Sequence, residues 1–162
     1  MKKFGTIILV LTLLFGLCGC SQWESMFEYS DSVIDSLPEY NSEEFYTSGG
    51  FQDFTDYAEY SYDSVTVQDF EKSEYFSVTT EEDVKEIMLH IENFEEWVDI
   101  VGGELKANYD FDKNVVSEGD FFYIKTKDGE PIGEGTYGKF DSYTVYYFEL
   151  DSQTLYYFHN NV

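Results

Sequence analysis

The sequence has few of the residues on which several common classes of protein depend. Its 162 residues contain 2 Cys, 2 Pro, 2 His and no Arg, so that all 9 bases are lysines. Two cysteines are too few for a disulfide-rich scaffold or a cysteine-based zinc site. The 33 Asp and Glu residues give a formal net charge of −24. This charge excludes the clustered cations with which nucleic-acid-binding proteins contact phosphates.

The acidic charge is unevenly distributed along the chain. No base lies between Lys3 and Lys72. Residues 20–56 are rich in Ser, Asp and Glu, with Pro38 and Gly49-Gly50 as breakers of regular structure, and this composition predicts an acidic, mostly disordered tether. The aromatic residues of this stretch are more than a spacer needs, so docking of part of it is the alternative. Residues 57–162 are then expected to form a single domain.

The first residues have the pattern of an export signal. Lys2 and Lys3 form a short cationic segment, and residues 4–17 form an almost wholly apolar run. That run is shorter than the roughly 20 residues that a membrane-spanning helix requires, and it ends at small residues. We therefore interpret it as a signal segment rather than an uncleaved anchor.

Leu17-Cys18-Gly19-Cys20 resembles the lipobox of bacterial lipoprotein precursors. The resemblance implies that residues 1–19 are a lipoprotein signal peptide, that a diacylglyceryl group is attached to Cys20, and that the chain is cleaved before it. It also implies a lipid-anchored location on the outer face of a bacterial cell membrane. Cys18 departs from the family pattern, in which Ala or Ser is commoner at this permissive position. The body resembles uncharacterised small lipoproteins of Gram-positive bacteria, which implies no activity.

One long helix is predicted over about 80–101. Thr79-Thr80-Glu81-Glu82 matches a capping box. Gly102-Gly103 marks the end of the helix, because glycine adopts the left-handed cap conformation at little cost. The apolar positions between these signals form one helical stripe, consisting of Val84, Ile87, Met88, Ile91, Phe94, Val98 and Val101.

Four strands are predicted after this helix, over about 105–160. Alternation of apolar and polar residues, with intervening turn signals, indicates strands at Leu105–Phe111, Phe121–Thr126, Tyr143–Leu150 and Thr154–His159. Residues 57–78 alternate only weakly and predict one or two short strands. The fold class is therefore α+β, with the helix packed on an antiparallel four-stranded meander. This order resembles that of cystatins and of β-lactamase inhibitor proteins.

The sequence offers little catalytic or metal-binding chemistry. His90 and His159 are interpreted as ordinary histidines, because neither lies in a recognisable nucleophile motif. Asp110-Phe111-Asp112-Lys113-Asn114 matches the start of an EF-hand loop, but Val115 and Phe121 stand where that loop needs Gly and Glu. We therefore predict neither a metal nor a cofactor. Paired carboxylates in a small cell-envelope enzyme remain the alternative, although no pair stands out.

Two surfaces are candidates for binding. Glu92, Glu95, Glu96 and Asp99 lie on one side of the C-terminal half of the predicted helix, where like charges repel and oppose the helix dipole. A solvated face of an acidic protein explains this stripe equally simply. The last two strands are rich in aromatic residues, and rings left uncovered by the helix would suit a protein, peptide or glycan. These rings are Tyr143, Tyr146, Tyr147, Phe148, Tyr156, Tyr157 and Phe158.

The sequence therefore predicts a lipid-anchored binding module outside the cytoplasm. Its expected partners are the membrane, through the lipid on Cys20, and either a cationic protein or a glycan. Binding of a cationic protein would make it an inhibitor or immunity factor against that basic protein.

Overall fold

The computed structural model describes residues 31–49 and 53–161, and the chain divides into two units, Met1–Asp35 and Ser36–Val162. In the described part of the first unit, the Asp31 carboxylate accepts a hydrogen bond of 2.9 Å from the Val33 amide. The predicted signal peptide and Cys20 lie outside the described residues, as do residues 21–30 of the predicted tether.

The described residues of the unit Ser36–Val162 form eight strands. They are β1 (Ser42–Gly49), β2 (Phe54–Ser61), β3 (Ser77–Val78), β4 (Phe121–Thr126), β5 (Pro131–Ile132), β6 (Gly135–Thr136), β7 (Ser142–Glu149) and β8 (Thr154–Asn161). Six of them form one antiparallel sheet in the order β1-β2-β8-β7-β4-β3, and β5 and β6 form a separate small hairpin. β1 and the two-residue β3 are therefore the edges of the large sheet.

The described part of the chain also forms three α-helices. They are α1 (Val67–Lys72), α2 (Glu81–Val101) and α3 (Gly103–Asn108), with 3-10 turns at Ile34–Ser36 and Lys113–Val115. α2 is the longest element of the described chain; it ends at the predicted residue and begins one residue later than predicted. α1 and α3 are each 6 residues long.

A reciprocal cap starts α2, one residue later than the sequence predicts. The Thr80 hydroxyl accepts a hydrogen bond from the Asp83 amide, while the Asp83 carboxylate accepts one from the Thr80 amide at 2.9 Å. The preceding Thr79 is buried, and its backbone pairs with Asp120 and Gly119. The helix ends at Gly102, whose φ of 63° suits glycine.

α2 packs its apolar stripe on one face of the sheet. Successive residues of a strand point to opposite faces, so one set of alternate residues from β2, β7 and β8 meets the helix. Each fully buried side chain of this size stabilises the fold by about 1.5–3 kcal/mol. The buried cluster consists of Ile87, Ile91, Phe94 and Val98 from α2, Tyr57, Tyr143, Val145, Tyr147 and Phe158 from the sheet, and Leu105, Phe111 and Val116 from the connection.

α1 and the loop before it cover part of the opposite face of the sheet. The Phe70 ring stacks on Phe121 with a centroid distance of 3.9 Å and meets the edge of Phe148 at 4.9 Å. Tyr62 also packs on Phe148, at 5.6 Å. Phe70 is 2% exposed. Residues 57–78 therefore contain most of β2, this cover and the short strand β3, so that one short strand forms in the range where one or two were predicted.

The sheet includes residues that the sequence analysis assigned to the tether. β1 and the first residues of β2 lie within 20–56, and the two strands pair over their whole length from Ser42↔Ser61 to Gly49↔Phe54. The prediction of mostly disordered structure is wrong for these residues. The acidic composition did not indicate a strand, because Glu43 and Glu44 belong to an exposed edge. The aromatic residues of the same stretch were the signal that indicated ordered structure.

The class α+β is confirmed, but the four-stranded meander is wrong. β4, β7 and β8 form as predicted, and the sheet continues past β8 into β2 and β1. Leu105–Phe111 is not a strand, since residues up to Asn108 form α3 and the Tyr109 amide bonds to the Leu105 carbonyl at 2.9 Å. Leu105 and Tyr109 are four residues apart, and a short alternating run fits one helical turn as well as a strand.

Candidate functional site

The solvent side of α2 carries the exposed acidic residues of that helix. Exposed side chains recur every three or four residues, which places them on one side of the helix. We call this surface the outer face of α2. It consists of Glu82, Lys85, Leu89, Glu92, Glu96, Asp99 and Ile100.

Two large aliphatic side chains lie within the outer face of α2. Leu89 is 48% exposed and Ile100 is 69% exposed. Glu92 lies three residues after Leu89 and Glu96 lies four residues before Ile100, so both carboxylates stand between the two aliphatic side chains. At 1.5 Å per residue, Leu89 and Ile100 are about 16 Å apart along the helix. The face thus combines two apolar anchors with uncompensated acid.

Sequence reasoning missed these two anchors. Leu89 and Ile100 fall outside the apolar stripe that packs on the sheet, and this misfit was visible in the sequence. An aliphatic residue off the buried stripe of an amphipathic helix is a weak signal on its own, because single exposed aliphatic residues are common. Their position among carboxylates on the outer face of α2 is what makes them informative.

The predicted acidic stripe divides into paired and unpaired carboxylates. Glu95 Oε2 lies 2.7 Å from Lys113 Nζ, and Asp99 Oδ1 lies 3.1 Å from Lys106 Nζ. Within the described residues, neither Glu92 nor Glu96 forms an ion pair. Two of the four predicted residues are therefore neutralised by lysines of the same chain, and two remain available.

Glu95 points toward the connection after α3 rather than outward. Its carboxylate accepts hydrogen bonds from Lys113 Nζ at 2.7 Å and from the Tyr109 hydroxyl at 3.3 Å. The first of these bonds raises the pKa of the Lys113 ammonium. Burial, reinforced by the Glu95 charge, raises the pKa of Tyr109. Glu95 thus joins α2 to the segment that follows α3, which is a structural role.

The N-terminal part of α2 contains a shallow depression beside Leu89. It is lined by Glu82, Asp83, Lys85, Glu86 and Leu89. Glu86 also bonds to Lys139 in the loop before β7, with 2.8 Å between Oε1 and Nζ. Charged side chains therefore surround one aliphatic residue in this depression. The depression continues the outer face of α2.

His90, also on α2, is buried, and its surroundings give it a structural role. It is 1% exposed, and its ring lies between Phe140 and Tyr143 at 5.1 Å and 4.9 Å. Nδ1 donates to the Glu86 carbonyl at 2.9 Å, and Nε2 has no hydrogen-bond partner among the described residues. Burial lowers the pKa of His90. The neutral imidazole is therefore the form that this site holds.

His159 belongs to a polar row on the sheet face opposite α2. Its Nδ1 lies 2.9 Å from Thr144 Oγ1, its ring stacks on Phe54 at 4.9 Å, and its partner in register on β2 is Asp56. Asp56 is 8% exposed, and burial raises its pKa. His159 and Asp56 form no ion pair within 4.0 Å. Asp56 therefore does not hold the His159 ring in the manner of the aspartate in a catalytic triad.

The sheet brings together one pair of carboxylates that the sequence did not single out. Glu44 on β1 and Glu59 on β2 are direct partners in register, on the face of the sheet that α2 covers. The Tyr57 hydroxyl donates to Glu59, and the Tyr46 hydroxyl donates to Glu44 at 2.9 Å. Burial raises the pKa of Glu59, and the charges of Asp110 and Glu44 act in the same direction. Only strand register reveals this pair.

The residues that resemble the start of an EF-hand loop form a turn. Asp112 Oδ1 accepts hydrogen bonds from the Asn114 amide at 3.0 Å and from Asn114 Nδ2 at 2.7 Å, which caps the 3-10 turn at Lys113–Val115. Among the described residues, no group of three or more His, Cys, Asp or Glu side chains has the arrangement to hold a metal ion.

The tyrosines of β7 and β8 form hydrogen bonds and packing contacts within the fold. Tyr143 donates to the His90 carbonyl at 3.0 Å, and Tyr147 donates to the Asp120 carboxylate at 2.5 Å. Tyr146 and Tyr157, on the opposite face of the sheet, are 3% and 8% exposed. The hairpin therefore presents less open aromatic surface than its sequence suggests.

No family model, curated protein or solved structure matches this chain. In the part of the chain that the structure describes, none of the helices has both the length and the apolar character needed to cross a membrane.

Proposed function

We propose that this protein is a lipid-anchored binding module of the cell envelope that holds a cationic partner protein on the outer face of α2. The observation that carries the proposal is the exposure of Leu89 and Ile100 beside the unpaired carboxylates of Glu92 and Glu96. A partner that buries both aliphatic side chains gains about 1.5–3 kcal/mol from each before the costs of association.

The balance of charge within the domain supports a cationic partner. Five of the seven lysines among the described residues lie within 4.0 Å of carboxylates of the same chain, namely Lys72, Lys85, Lys106, Lys113 and Lys139. Most of the lysine charge is thus satisfied internally, while the whole chain carries a formal net charge of −24. Such a surface attracts basic proteins over a distance and increases their rate of association at low salt.

The lipid anchor is the part of the proposal that rests on the sequence. Cys20 follows a lipobox, and two acyl chains on one residue meet the two-signal requirement for stable membrane attachment. Mass spectrometry is expected to find the diacylglyceryl group on the wild-type chain and no acyl group on Cys20→Ala. Lipidated Cys20→Ala would contradict this part of the proposal without affecting the outer face of α2.

The partner proposed is a basic envelope protein, with the module acting as its inhibitor or immunity factor. The predicted resemblance to the element order of cystatins depended on a four-stranded meander that the described chain does not form, and fold does not determine function. The proposal therefore depends on the outer face of α2.

Affinity capture from envelope extract with three matched variants tests the proposal. We expect a basic protein to be retained by the wild-type chain and lost by Leu89→Ser/Ile100→Ser and by Glu92→Gln/Glu96→Gln. Glu130→Gln/Glu134→Gln removes the same charge from exposed residues of the β5–β6 region and should retain the partner. Capture should also weaken between about 0.05 M and 0.5 M NaCl.

Equal capture by all variants would place the partner elsewhere on the protein. Capture that is insensitive to salt would favour the glycan or peptide alternative, in which aromatic contacts dominate. Both outcomes contradict the proposed role of the outer face of α2.

A second candidate, a small envelope enzyme, is favoured by the carboxylate pair Glu44 and Glu59. A carboxyl group with a raised pKa beside a second carboxylate is the arrangement of an acid–base pair. If envelope glycan is hydrolysed, release of fragments should stop in Glu59→Gln and continue in Glu43→Gln, whose residue lies on the opposite face of the same edge. Absence of turnover by the wild-type chain would exclude this candidate.

A further inference from the structure

The free edge of β1 is a second surface that the proposed function does not use. β1 is eight residues long and pairs with β2 along one side only, and no other described strand pairs with its outer side. The opposite edge of the sheet is the two-residue strand β3. An unpaired strand of this length presents a row of backbone donors and acceptors that can pair with another strand.

β1 has few of the features with which proteins block an exposed edge. It contains no Pro and no Lys, and its register with β2 runs without a bulge. α3 lies against β1. Phe45 points to the face opposite α2 and is 48% exposed. The edge is therefore regular, accessible and partly apolar.

We propose that β1 pairs antiparallel with β1 of a second copy, about a twofold axis that passes beside Phe45. Joining the two sheets into one requires that residues opposite each other point to the same face, so the paired residue numbers have the same parity. The pairing centred on Phe45 satisfies this condition. In this register, residues 42–48 of one copy pair with residues 48–42 of the other.

The side chains that this register brings together are complementary. Phe45 faces the partner's Phe45, and pairs of aromatic residues across strands stabilise a sheet by about 0.2–1 kcal/mol. Glu44 faces the partner's Tyr46, a pair that already forms a hydrogen bond of 2.9 Å within one copy. Glu43 faces the partner's Thr47, and Ser42 faces the partner's Ser48. No acidic residue of β1 faces an acidic residue of the other copy.

Net charge limits the strength of this pairing. Two chains with a formal charge of −24 each repel one another, and salt screens that repulsion. A pair of eight-residue strands also buries less than the roughly 1,200–2,000 Å² of a standard interface. We therefore expect a weak dimer that strengthens as salt is added, which is the reverse of the salt response expected for a cationic partner on α2.

Engineered cysteines in the full chain test the register. Phe45→Cys places two sulfur-bearing residues directly opposite each other, within the Cα separation of 4.4–6.8 Å that a disulfide needs. Glu43→Cys and Thr47→Cys each place identical residues about 14 Å apart, because the copies are offset by four residues. Mild oxidation should give disulfide dimers of Phe45→Cys above the level of the chain without an added cysteine. Either control alone should stay at that level, whereas Glu43→Cys mixed with Thr47→Cys should cross-link.

Two measurements decide between the occupants of the edge. Dimer formation by Phe45→Cys at least fivefold above both controls, and rising from about 0.05 M to 0.5 M NaCl, supports the proposal. Equal cross-linking of all three single variants would overturn it, as would a disulfide adduct of Phe45→Cys with a different protein. Neither result depends on the outer face of α2, so this pairing and the proposed function can fail separately.

Discussion

The Tyr147 hydroxyl donates a hydrogen bond of 2.5 Å to the Asp120 carboxylate and joins β7 to the turn before β4. Asp120 is 7% exposed and also accepts hydrogen bonds from Ser117 Oγ at 2.8 Å and from the Leu150 amide at 3.0 Å. A buried carboxylate with three donors fixes several segments at once. In a protein with this much negative charge, Asp120 is an acid that serves the fold.

Replacing Asp120 should therefore destabilise the protein strongly. Asp120→Ala leaves the Tyr147 hydroxyl and the Leu150 amide without their acceptor, and we expect a loss of about 2–4 kcal/mol in the free energy of unfolding. Urea denaturation checks this value. Asp128→Ala, at an exposed position in the turn after β4, should change stability by less than about 0.5 kcal/mol. Equal effects of the two variants would contradict the role of Asp120.

Phe70 should be the main stabilising residue of α1. Its ring stacks on Phe121 and is 2% exposed, so Phe70→Ala removes the cover from that end of the second sheet face. We expect a loss of about 3–5 kcal/mol in the free energy of unfolding. Val67→Ala in the same helix is the control, because Val67 is 49% exposed and should cost less than about 0.5 kcal/mol. A small effect of Phe70→Ala would show that α1 docks only loosely.

The strongest sequence signals gave the most accurate predictions. α2 ends at the predicted residue and begins within one residue of the predicted start, because an apolar stripe of helical period and Gly102 both act locally. The hairpin of β7 and β8 was visible because two aromatic strands flank a short turn. The weak signals failed where two structures fit equally well, as for Leu105, which is fully buried in a helix rather than a strand.

The candidate sites depended on long-range contacts that local patterns in the sequence do not show. The acidic stripe was visible, but the capture of Glu95 by Lys113 needed the fold of the segment after α3. Glu44 lies in the predicted tether and Glu59, fifteen residues later, in the predicted domain, and only the register of β1 and β2 makes them neighbours. Long-range pairing of this kind is decided by the whole sheet rather than by local pattern.

The two ion pairs of the predicted acidic stripe should differ in strength. Lys113 and Glu95 are 36% and 30% exposed, whereas Lys106 and Asp99 are 55% and 74% exposed. We expect a double-mutant cycle to give a coupling energy of about 0.5–1 kcal/mol for the first pair and less than about 0.5 kcal/mol for the second. The variants are Lys113→Met with Glu95→Gln, and Lys106→Met with Asp99→Asn. A larger coupling for the Lys106 pair would contradict the role given to Glu95.

The buried His90 should make the stability of the domain depend on pH. Burial lowers the pKa of His90 below the usual value of 6.5. Glu86 opposes this shift, whereas the charge of Lys139, which forms an ion pair with the Glu86 carboxylate, adds to it. The unfolded chain then binds more protons than the folded one, so the contribution is present above the unfolded pKa and is lost as the pH falls through the folded pKa. NMR titration of the imidazole should give this lowered pKa directly.

Comparing wild type with His90→Gln isolates this contribution from the many carboxylates. Both proteins carry the same acids, so the difference between their free energies of unfolding should change mainly through His90. We expect this difference to be constant from about pH 7 to 8 and to move against the wild type between about pH 6.5 and 5, as urea denaturation at each pH would show. The glutamine variant keeps a side-chain amide for the Glu86 carbonyl. A difference that is flat over the whole range, or a titration at the usual pKa, would contradict the buried neutral form.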